Sequence, residues 1–280
     1  MIETKEMKPK ISIITITYNS KRFVEEAILS VLSQDYHNLE YIIVDGGSTD
    51  GTLDIVRAYC DKGSAVAENG LKHSIAKVLS EPDEGISDAF NKGIALASGD
   101  VVGIINSDDK LLPGALSAIA SHYDASVDIY RSNIIIWNEE TDARFKEVPS
   151  MTFPLIPLSI HVAHQGTFVS ANCYRRFGGF DKRMKFCMDR DFLLRCYRGG
   201  AKFLYVDSET AIYRMGGATS SAISKKRNDY LLLITKNGGS CLQAEVFYLY
   251  MCMREVMKFA ISIFGSDAKR VLRYKKVESR

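Results

Sequence analysis

The feature that most constrains the fold is a regular alternation of strand-like and helix-like segments over the first 110 residues. Runs of β-branched residues predict strands, and apolar residues at helical spacing predict the helices between them. The strand-like runs are 11–17, 39–45, 74–80 and 101–106, and the helix-like segments are 21–34, 50–59 and 85–99. We expect Gly99 to cap the last of these helices. Strands joined in this way predict an α/β, Rossmann-like fold with a mostly parallel sheet flanked by helices.

Composition and charge exclude several classes of protein. The chain has 280 residues, 46% of them hydrophobic, and its 36 basic and 34 acidic residues leave a net charge of only +2. This balance argues against a nucleic-acid-binding protein. The six cysteines form no C-x-x-C pair, which favours reduced thiols. The charged start "MIETKEMKPK" lacks the apolar run of a signal peptide, so we expect a cytoplasmic protein.

Polar side chains follow each predicted strand of the first half at the point where the strand ends. Ligands of open α/β sheets bind beyond the carboxyl ends of the strands, so these side chains are candidates for one site. Each of them also has an ordinary alternative role in a turn or a helix cap. The candidates are Thr17, Tyr18, Asp45, Asp83, Asn106, Asp108 and Asp109.

The usual glycine-rich phosphate motifs are missing from the sequence. The first strand is followed by "TYNSKRF" without G-x-G-x-x-G, and no G-x-x-x-x-G-K-[ST] occurs. Clustered carboxylates repel a bare diphosphate, but a divalent cation between them reverses the sign of that interaction. The sequence therefore predicts a Mn²⁺ or Mg²⁺ ion as the link between these acids and a phosphorylated ligand.

Four segments in this order carry a resemblance to a known family. They are "SIITITYNS", "YIIVDGGSTDGT", "SEPDEGISDAFNKGIALASGD" and "VVGIINSDD". Together they resemble the nucleotide-sugar-binding half of the family-2 glycosyltransferases, which are inverting enzymes with the glycosyltransferase-A fold. The resemblance is strong over about residues 10 to 115 and looser to about residue 220.

The resemblance implies roles for individual residues of the first half. Thr17 and Tyr18 match positions that flank the nucleobase, and Asp45 matches the carboxylate that accepts a hydrogen bond from the base or ribose, commonly of a uridine nucleotide. Asp83 matches the next acid that contacts the nucleotide. By the same resemblance Asn91 and Lys92 approach the diphosphate or the sugar.

The segment "NSDD" stands where the family usually carries the metal-binding Asp-x-Asp pair. Asp108 fills the second acid position, which predicts it as the metal ligand. Asn106 replaces the first acid and offers only a neutral carbonyl ligand. Asp109 has two open interpretations, since it either orients sugar hydroxyls or supplies negative charge to the start of the next helix.

An inverting transfer also needs a base, and the resemblance directs attention to "GGFDKRMKFCMDRDFLLRCYRGG" at 178–200. Residues two apart on a helix point about 200° from one another, so Asp189 and Asp191 cannot both face one cleft. Asp191 is expected to form an ordinary surface ion pair with Arg195 at i+4. Asp189 has no basic partner at i+3 or i+4, so we predict Asp189 as the catalytic base.

Two further segments of the second half offer candidate site residues. In "HVAHQGTFVS", His164 and Gln165 are candidates for lining the acceptor cleft, while the pair His161 and His164 lacks a third ligand for a zinc site. In "YRMGGATSSAISKKR", Arg214 is a candidate phosphate partner, although an ordinary solvated loop is the simpler interpretation.

The domain organisation follows from these segments. Residues 1–110 form a nucleotide-sugar-binding half, 111–220 the acceptor-binding half of the same domain, and 221–280 a C-terminal helical extension with a basic tail. The extension has apolar residues at alternating steps of four and three between 242 and 263. Packing on the main domain or homodimerisation is the first interpretation. Peripheral contact with the inner face of a membrane is the second.

These observations predict an inverting glycosyltransferase. It moves a sugar from a nucleotide-diphosphate donor, expected to be a UDP-sugar, to a glycan or lipid-linked acceptor in polysaccharide biosynthesis. Two alternatives stay open at this point. One is a catalytically silent nucleotide-sugar-binding or scaffold protein, prompted by Asn106 and by Met188, which stands where the family that the chain resembles carries Glu. The other is a sugar nucleotidyltransferase.

Overall fold

The first half of the chain alternates strands and helices as the sequence predicts. The structure, a computed structural model, describes residues 8–60, 64–156, 162–216, 223–264 and 275–276. The strands of the first half are β1 (Ile11–Thr17), β2 (Leu39–Asp45), β3 (Lys77–Ser80) and β4 (Val101–Asn106), and its helices are α1 (Val24–Leu32), α2 (Thr52–Ala58), α3 (Ser64–Glu68) and α4 (Ile86–Leu96).

These four strands form a parallel sheet with β1 in the centre. β1 pairs in parallel with β2 on one side and with β4 on the other, and β3 extends the sheet beyond β2. The predicted parallel α/β arrangement is therefore confirmed. The predicted cap at Gly99 is wrong, because α4 ends earlier and Ala97 is its C-cap. Gly99 instead allows a close approach to β1, since a Cβ there would lie 2.7 Å from the carbonyl oxygen of Lys10.

The second half continues the same sheet mainly through antiparallel strands. Strand β8 (Thr167–Ser170) pairs antiparallel with both β4 and β6 (Ile129–Asn138), and so joins the two halves. The longest strands, β6 and β9 (Phe203–Arg214), run parallel to each other. The remaining elements are β5 (Lys110–Leu111), α5 (Ala115–Ser121), β6 (Ile129–Asn138), β7 (Ala143–Glu147), β8 (Thr167–Ser170), α6 (Ala171–Phe177), α7 (Met188–Arg198), β9 (Phe203–Arg214), α8 (Arg227–Lys236), α9 (Cys241–Phe264) and β10 (Lys275–Lys276).

Helices cover both faces of the sheet and produce two hydrophobic cores. Neighbouring strand residues such as Ile13 and Ile14 point to opposite faces, because side chains alternate along a strand. Helices α1, α2 and α5 pack on one face. Helices α4, α6, α7, α8 and α9 contribute to the core on the other. Strands β1, β2 and β4 are buried on both sides, which explains their nearly continuous apolar runs.

Helix α8 holds the start of α7. The carboxylate of Asp229 accepts hydrogen bonds from three successive backbone amides, those of Lys185, Phe186 and Cys187, at 2.9, 2.6 and 3.0 Å. Negative charge near the N-terminus of a helix also interacts favourably with the helix dipole. The C-terminal extension therefore packs on the main domain and fixes the first turn of α7.

A buried carboxylate organises the opposite edge of the sheet, where the strands begin. Glu40 accepts hydrogen bonds from the Ser12 hydroxyl at 2.6 Å and from the Ser98 amide at 2.8 Å. The ammonium groups of Lys10 and Lys77 lie 3.2 and 3.0 Å from its carboxylate. Burial acts to raise the pKa of Glu40, but the hydrogen bonds from Ser12, Ser98 and Lys77 outweigh it and hold that pKa well below its ordinary value.

We expect the Glu40→Gln variant to lose about 1–3 kcal/mol in the free energy of unfolding at pH 7, because two lysines then lack their carboxylate. A depressed pKa in the folded state contributes stability above the pKa of the unfolded chain, about 4.3, and loses it as the pH falls further. The difference from wild type should therefore shrink below about pH 4 in urea titrations. Asp54→Asn, at an exposed ion pair with Arg57, is the matched control. A loss for Glu40→Gln no larger than for this control would contradict the prediction.

Candidate active site

The sheet aligns the carboxyl ends of its four parallel strands in one row. The register pairs Thr17 with Asp45, Ile16 with Asn106 and Asp45 with Ser80. Neighbouring strands lie about 4.8 Å apart, so the ends of β2 and β4 are separated by roughly 10 Å across β1. The candidate residues at these ends therefore share one edge of the sheet, as the sequence predicts.

Asp45 is completely buried at this edge and holds the turn that follows β2. Its carboxylate accepts hydrogen bonds from the backbone amides of Gly47 and Ser48, both at 3.0 Å, and from the Ser80 hydroxyl at 2.7 Å. The exposed fraction of Asp45 is 0%. In this conformation Asp45 shapes the floor of the cleft. Its predicted contact with a nucleotide stays a prediction.

The side chains of Tyr18 and Asp83 both lie close to Gly46 in that turn. A Cβ on Gly46 would lie 2.5 Å from a carboxylate oxygen of Asp83 and 3.4 Å from the Tyr18 ring. Tyr18 is 64% exposed, so its ring is accessible to a ligand at this edge of the sheet. An exposed ring beside a carboxylate, with a glycine leaving space between them, is suited to stacking and hydrogen bonding with a planar base.

Asn91 and Lys92 have other partners in the fold. The amide group of Asn91 donates to the carbonyl oxygen of Phe180 and accepts from its backbone amide, both at 2.8 Å. The Lys92 ammonium lies 2.8 Å from Glu81 and 3.4 Å from Asp88. Asn91 thus connects α4 to the segment before α7, and both the nitrogen and the oxygen of its side chain already have a partner in the fold. Lys92 must exchange an ion pair before it can bind phosphate.

Asn106 and Asp108 carry the features expected of an incomplete cation site. The side-chain oxygen of Asn106 is buried without a hydrogen-bond partner at the end of β4. Burial is the main cause of the raised pKa of Asp108, which indicates a carboxylate short of compensating charge. Among the described residues no three His, Cys, Asp or Glu side chains form a cluster that could hold a metal. The two residues therefore fit a cation only if other oxygens, such as those of a diphosphate, complete its coordination.

Asp109 is a structural residue rather than an exposed sugar ligand. Its two oxygens accept hydrogen bonds from the Gln165 side chain at 2.7 Å and from the Arg214 amide at 3.0 Å. It is only 1% exposed, so neither predicted role, contact with sugar hydroxyls or charge at a helix start, matches the structure. Burial, followed by the charge of Asp108, raises the pKa of Asp109 to about 7. Asp109 connects the end of β4 to the acceptor half.

Arg214 is buried at the end of β9 instead of lying in a solvated loop. Its guanidinium group lies between the Phe23 and Trp137 rings, 4.9 and 4.8 Å from their centroids. The same group forms ion pairs with Glu26 and Glu139 and donates to the carbonyl oxygen of Asp108 at 3.1 Å. Arg214 therefore supports the backbone of the "NSDD" segment, and two carboxylates already compensate its charge.

Asp189 meets His164 at the start of α7. One carboxylate oxygen of Asp189 lies 3.1 Å from Nδ1 of His164, and the other is buried without a partner. Nε2 of His164 is likewise buried and unpaired. Both side chains line a small cavity whose other walls are mostly apolar, among them Ile104 and Phe192. The predicted base is thus oriented by an imidazole from the 3-10 turn at His164–Gly166.

Electrostatic interactions connect this pair to the acids at the end of β4. Burial acts to lower the pKa of His164, but the charges of Asp189, Asp109 and Asp108 outweigh it and raise the pKa above its ordinary value. Hydrogen bonds make the same connection, because Gln165, next to His164, donates to Asp109, next to Asp108. The predicted base and the predicted metal ligand are therefore linked through the turn at His164–Gly166.

The structure corrects the interpretation of Asp191. Asp191 is 0% exposed and binds Arg195 at 2.8 Å, Lys236 at 3.0 Å and the Asn237 amide at 3.1 Å. The pair with Arg195 exists, but it is part of a buried network between α7 and α8 instead of a surface ion pair. Asp191 cannot serve as an accessible base.

Sequence reasoning missed two contacts that organise this cleft, His164 with Asp189 and Gln165 with Asp109. The sequence predicts that His164 and Gln165 line the acceptor cleft, but the hydrogen-bond partners of these two side chains lie 25 and 56 residues away in the chain. No periodicity or local spacing reports contacts of that separation. His161, the other histidine of that segment, lies outside the described residues.

Comparison with known proteins agrees with this geometry. The model of the glycosyl transferase family 2 matches residues 12–184. The uncharacterized glycosyltransferase Rv1514c of Mycobacterium tuberculosis is 30% identical over 201 residues, which cover 67% of this chain and 68% of that protein. A PGL/p-HBAD biosynthesis glycosyltransferase of Mycobacterium bovis is 25% identical over 236 residues, covering 82% of this chain and 87% of the relative.

Solved structures show the same fold. Residues 1–349 of TarS from Staphylococcus aureus, in complex with UDP-GlcNAc, align with a TM-score of 0.61 and 22% identity over 80% of this chain and 65% of that one. The mannosyltransferase PcManGT from Pyrobaculum calidifontis, in complex with GDP-Man and Mn²⁺, aligns with a TM-score of 0.61 and 17% identity over 92% of this chain and 76% of that one. Within the described residues no helix is long and apolar enough to cross a bilayer. Because the family model covers more than half of the chain, the protein belongs to glycosyltransferase family 2, with the glycosyltransferase-A fold.

Proposed function

We propose that this glycosyltransferase moves one sugar, with inversion, from a UDP-sugar to a hydroxyl group of a glycan or lipid-linked acceptor in polysaccharide biosynthesis. The observation that carries the proposal is the pairing of Asp189 with His164, whose neighbour Gln165 binds Asp109 of the "NSDD" segment. The second carboxylate oxygen of Asp189 has no partner in the fold, which supports its role as the proton acceptor. The UDP-GlcNAc bound to TarS and the relatives' names support the donor class and the biosynthetic role.

The reaction assigns a task to each part of the cleft. The acceptor oxygen forms a bond to the anomeric carbon, the bond from that carbon to the diphosphate breaks, and the acceptor proton passes to the free oxygen of Asp189. Asp108 and the Asn106 carbonyl would hold the divalent cation, which neutralises charge on the diphosphate when bound. Tyr18 and Asp83 bind the nucleoside, and the cleft aligns the two substrates.

The family assignment weighs against the two alternatives that the sequence leaves open. A nucleotidyltransferase requires a basic, glycine-rich loop after the first strand, and the segment in that position, "TYNSKRF", contains no glycine. A catalytically silent binding protein does not need a proton acceptor. Asp189, by contrast, has one carboxylate oxygen without a partner and another that His164 orients. Transfer by Asp189 is thus the interpretation that the geometry supports best.

We expect Asp189→Asn to lower kcat by about 10²- to 10⁴-fold while the dissociation constant of the donor stays within about twofold, because the amide keeps the shape but accepts no proton. Turnover with a panel of UDP-sugars and donor binding by calorimetry provide the two measurements. Asp191→Asn is the matched control. It should lower the melting temperature, since it disrupts a buried ion-pair network, yet keep kcat at a temperature where it is folded. Near-normal turnover by Asp189→Asn would exclude this residue as the base.

We expect His164→Ala to lower kcat because Asp189 loses the group that orients it. Asparagine can place a donor near the position of Nδ1, so His164→Asn should recover part of the loss, whereas His164→Leu should not. The pH dependence of kcat gives a second measurement, because the pKa of His164 is raised above its ordinary value, chiefly by the charge of Asp189 against the effect of burial, and the variants lack this titrating group. Equal loss in the alanine and asparagine variants, with an unchanged pH profile, would mean that His164 only fills space.

We expect Asn106→Asp to strengthen Mn²⁺ binding severalfold and Asp108→Asn to abolish it, because each change alters the charge offered to the cation. The measurement is the extra thermal stabilisation that Mn²⁺ gives in the presence of UDP, since a ligand that binds the native state raises the melting temperature. UDP without metal is the control for nucleotide binding. A metal effect that Asp108→Asn leaves intact would assign the cation to other residues.

A further inference from the structure

Asn19 adopts a backbone conformation that residues with side chains seldom adopt. Its φ is 47°, in the left-handed region, and among the described residues other than glycine only Asp142, with a φ of 48°, is like it. This region is unfavourable for L-residues, although asparagine and aspartate tolerate it better than most. Such a conformation persists where contacts with the surrounding structure determine it, often at a ligand-binding site. The contacts of Asn19 therefore indicate what its conformation supports.

Two hydrogen bonds join Asn19 to the turn that follows β2. Its backbone amide donates to the hydroxyl of Ser48 at 2.8 Å, and its side-chain oxygen accepts from the amide of Thr49 at 2.9 Å. The Ser48 hydroxyl in turn donates to the carboxylate of Asp45, which is completely buried. The left-handed conformation of Asn19 is therefore held through both its backbone and its side chain.

The next two residues of the chain are held by the same connection between β2 and α2. The amide of Ser20 donates to the hydroxyl of Thr52 at 2.9 Å, and the amide of Lys21 donates to the carboxylate of Asp50 at 3.0 Å. With Asn19, three successive backbone amides thus donate to side chains of this connection. We call these three residues the clamped segment. It fixes the backbone that follows β1.

Tyr18 lies between β1 and the clamped segment. On one side Thr17 is paired with Asp45 in the parallel sheet, and its carbonyl oxygen accepts from the amide of Gly46 at 2.9 Å. On the other side lies Asn19. The side chain of Tyr18 is 64% exposed, so its orientation depends more on the backbone around it than on packing. A change in the φ of Asn19 alters the path of the chain into the clamped segment, and with it the direction of the Tyr18 ring.

We propose that Asn19 is a positioning residue for the nucleotide donor, which acts by holding the ring of Tyr18 where it stacks on the base. The inference rests on the proposed function, in which Tyr18 binds the nucleoside. Asn19 supplies two separate properties, tolerance of the left-handed backbone and an oxygen that accepts from Thr49. Aspartate has both properties, glycine has only the first, and alanine has neither. Substitution by these three residues therefore separates the two contributions.

The experiment measures the dissociation constant of UDP by calorimetry, with Mn²⁺ present, and the melting temperature of each full-chain variant without ligand. We expect Asn19→Ala to weaken UDP binding about tenfold, because a left-handed alanine is strained and relief of that strain moves Tyr18. Asn19→Asp should bind UDP within about twofold of wild type, and Asn19→Gly should fall between these two variants. Asp142→Ala is the matched control, since it places alanine at the other left-handed position, between β6 and β7. It should lower the melting temperature but leave UDP binding unchanged.

A double-mutant cycle tests whether Asn19 acts through Tyr18. Tyr18→Ala should weaken UDP binding, and adding Asn19→Ala to it should cause little further loss, since the effects of coupled residues are not additive. Additive losses would mean that Asn19 does not act through the ring, and would overturn the proposal. Equal UDP affinity of the Asn19→Ala, Asn19→Asp and wild-type chains would overturn it as well.

The same measurements separate this inference from the proposed function. If Tyr18→Ala weakens UDP binding but the variants of Asn19 do not, only the inference fails. A wild-type chain that does not bind UDP, or a Tyr18→Ala variant that binds it normally, contradicts both the nucleoside contact and the inference. Should Asn19→Ala not fold, Asn19→Gly is compared with Asn19→Asp. Weaker UDP binding by the glycine variant is then the expected result, and equal binding would overturn the proposal.

Discussion

The in-register parallel pairing of β1 with β2 and β4 is the constraint on which the site depends. It places Thr17 beside Asp45 and Ile16 beside Asn106, so that groups far apart in the chain end at the same edge. A shift of one residue would turn each strand's side chains to the opposite face and separate these groups. The apolar side chains on both faces fix that register, since both are buried beneath helices. Packing of the core thus determines the geometry of the cleft.

The second half of the site is assembled by buried polar contacts across the sheet. Asp109 binds Gln165 and the amide of Arg214, and so ties the end of β4 to the 3-10 turn and to β9. His164, next to Gln165, then reaches Asp189. Removing one partner from such a network leaves a buried polar group unsatisfied. The free-energy cost of that group exceeds the net contribution of the hydrogen bond to stability. These contacts therefore hold the predicted base and the candidate cation ligands at a defined separation.

The C-terminal extension supports the helix that carries Asp189. Asp229 of α8 binds three backbone amides at the start of α7, one turn from Asp189. Helix α9 packs against α8 through Phe247, whose ring meets that of Tyr230. Helix α9 is thus connected to the predicted base through α8 and the start of α7.

The sequence by itself determined the parallel first half, because β-branched runs and helical spacing are local signals and each strand end carried its polar residues. It also indicated Asp189 over Asp191, since the pairing of Asp191 with Arg195 is an i to i+4 contact. Tertiary structure alone decided that Asp191 is buried, that Asn91 and Asp109 are internal contacts, that Arg214 supports the "NSDD" backbone, and that His164 orients Asp189. These outcomes depend on side chains separated by tens of residues in the chain. Burial and pairing at such distances are set by how the elements pack, which no local pattern encodes.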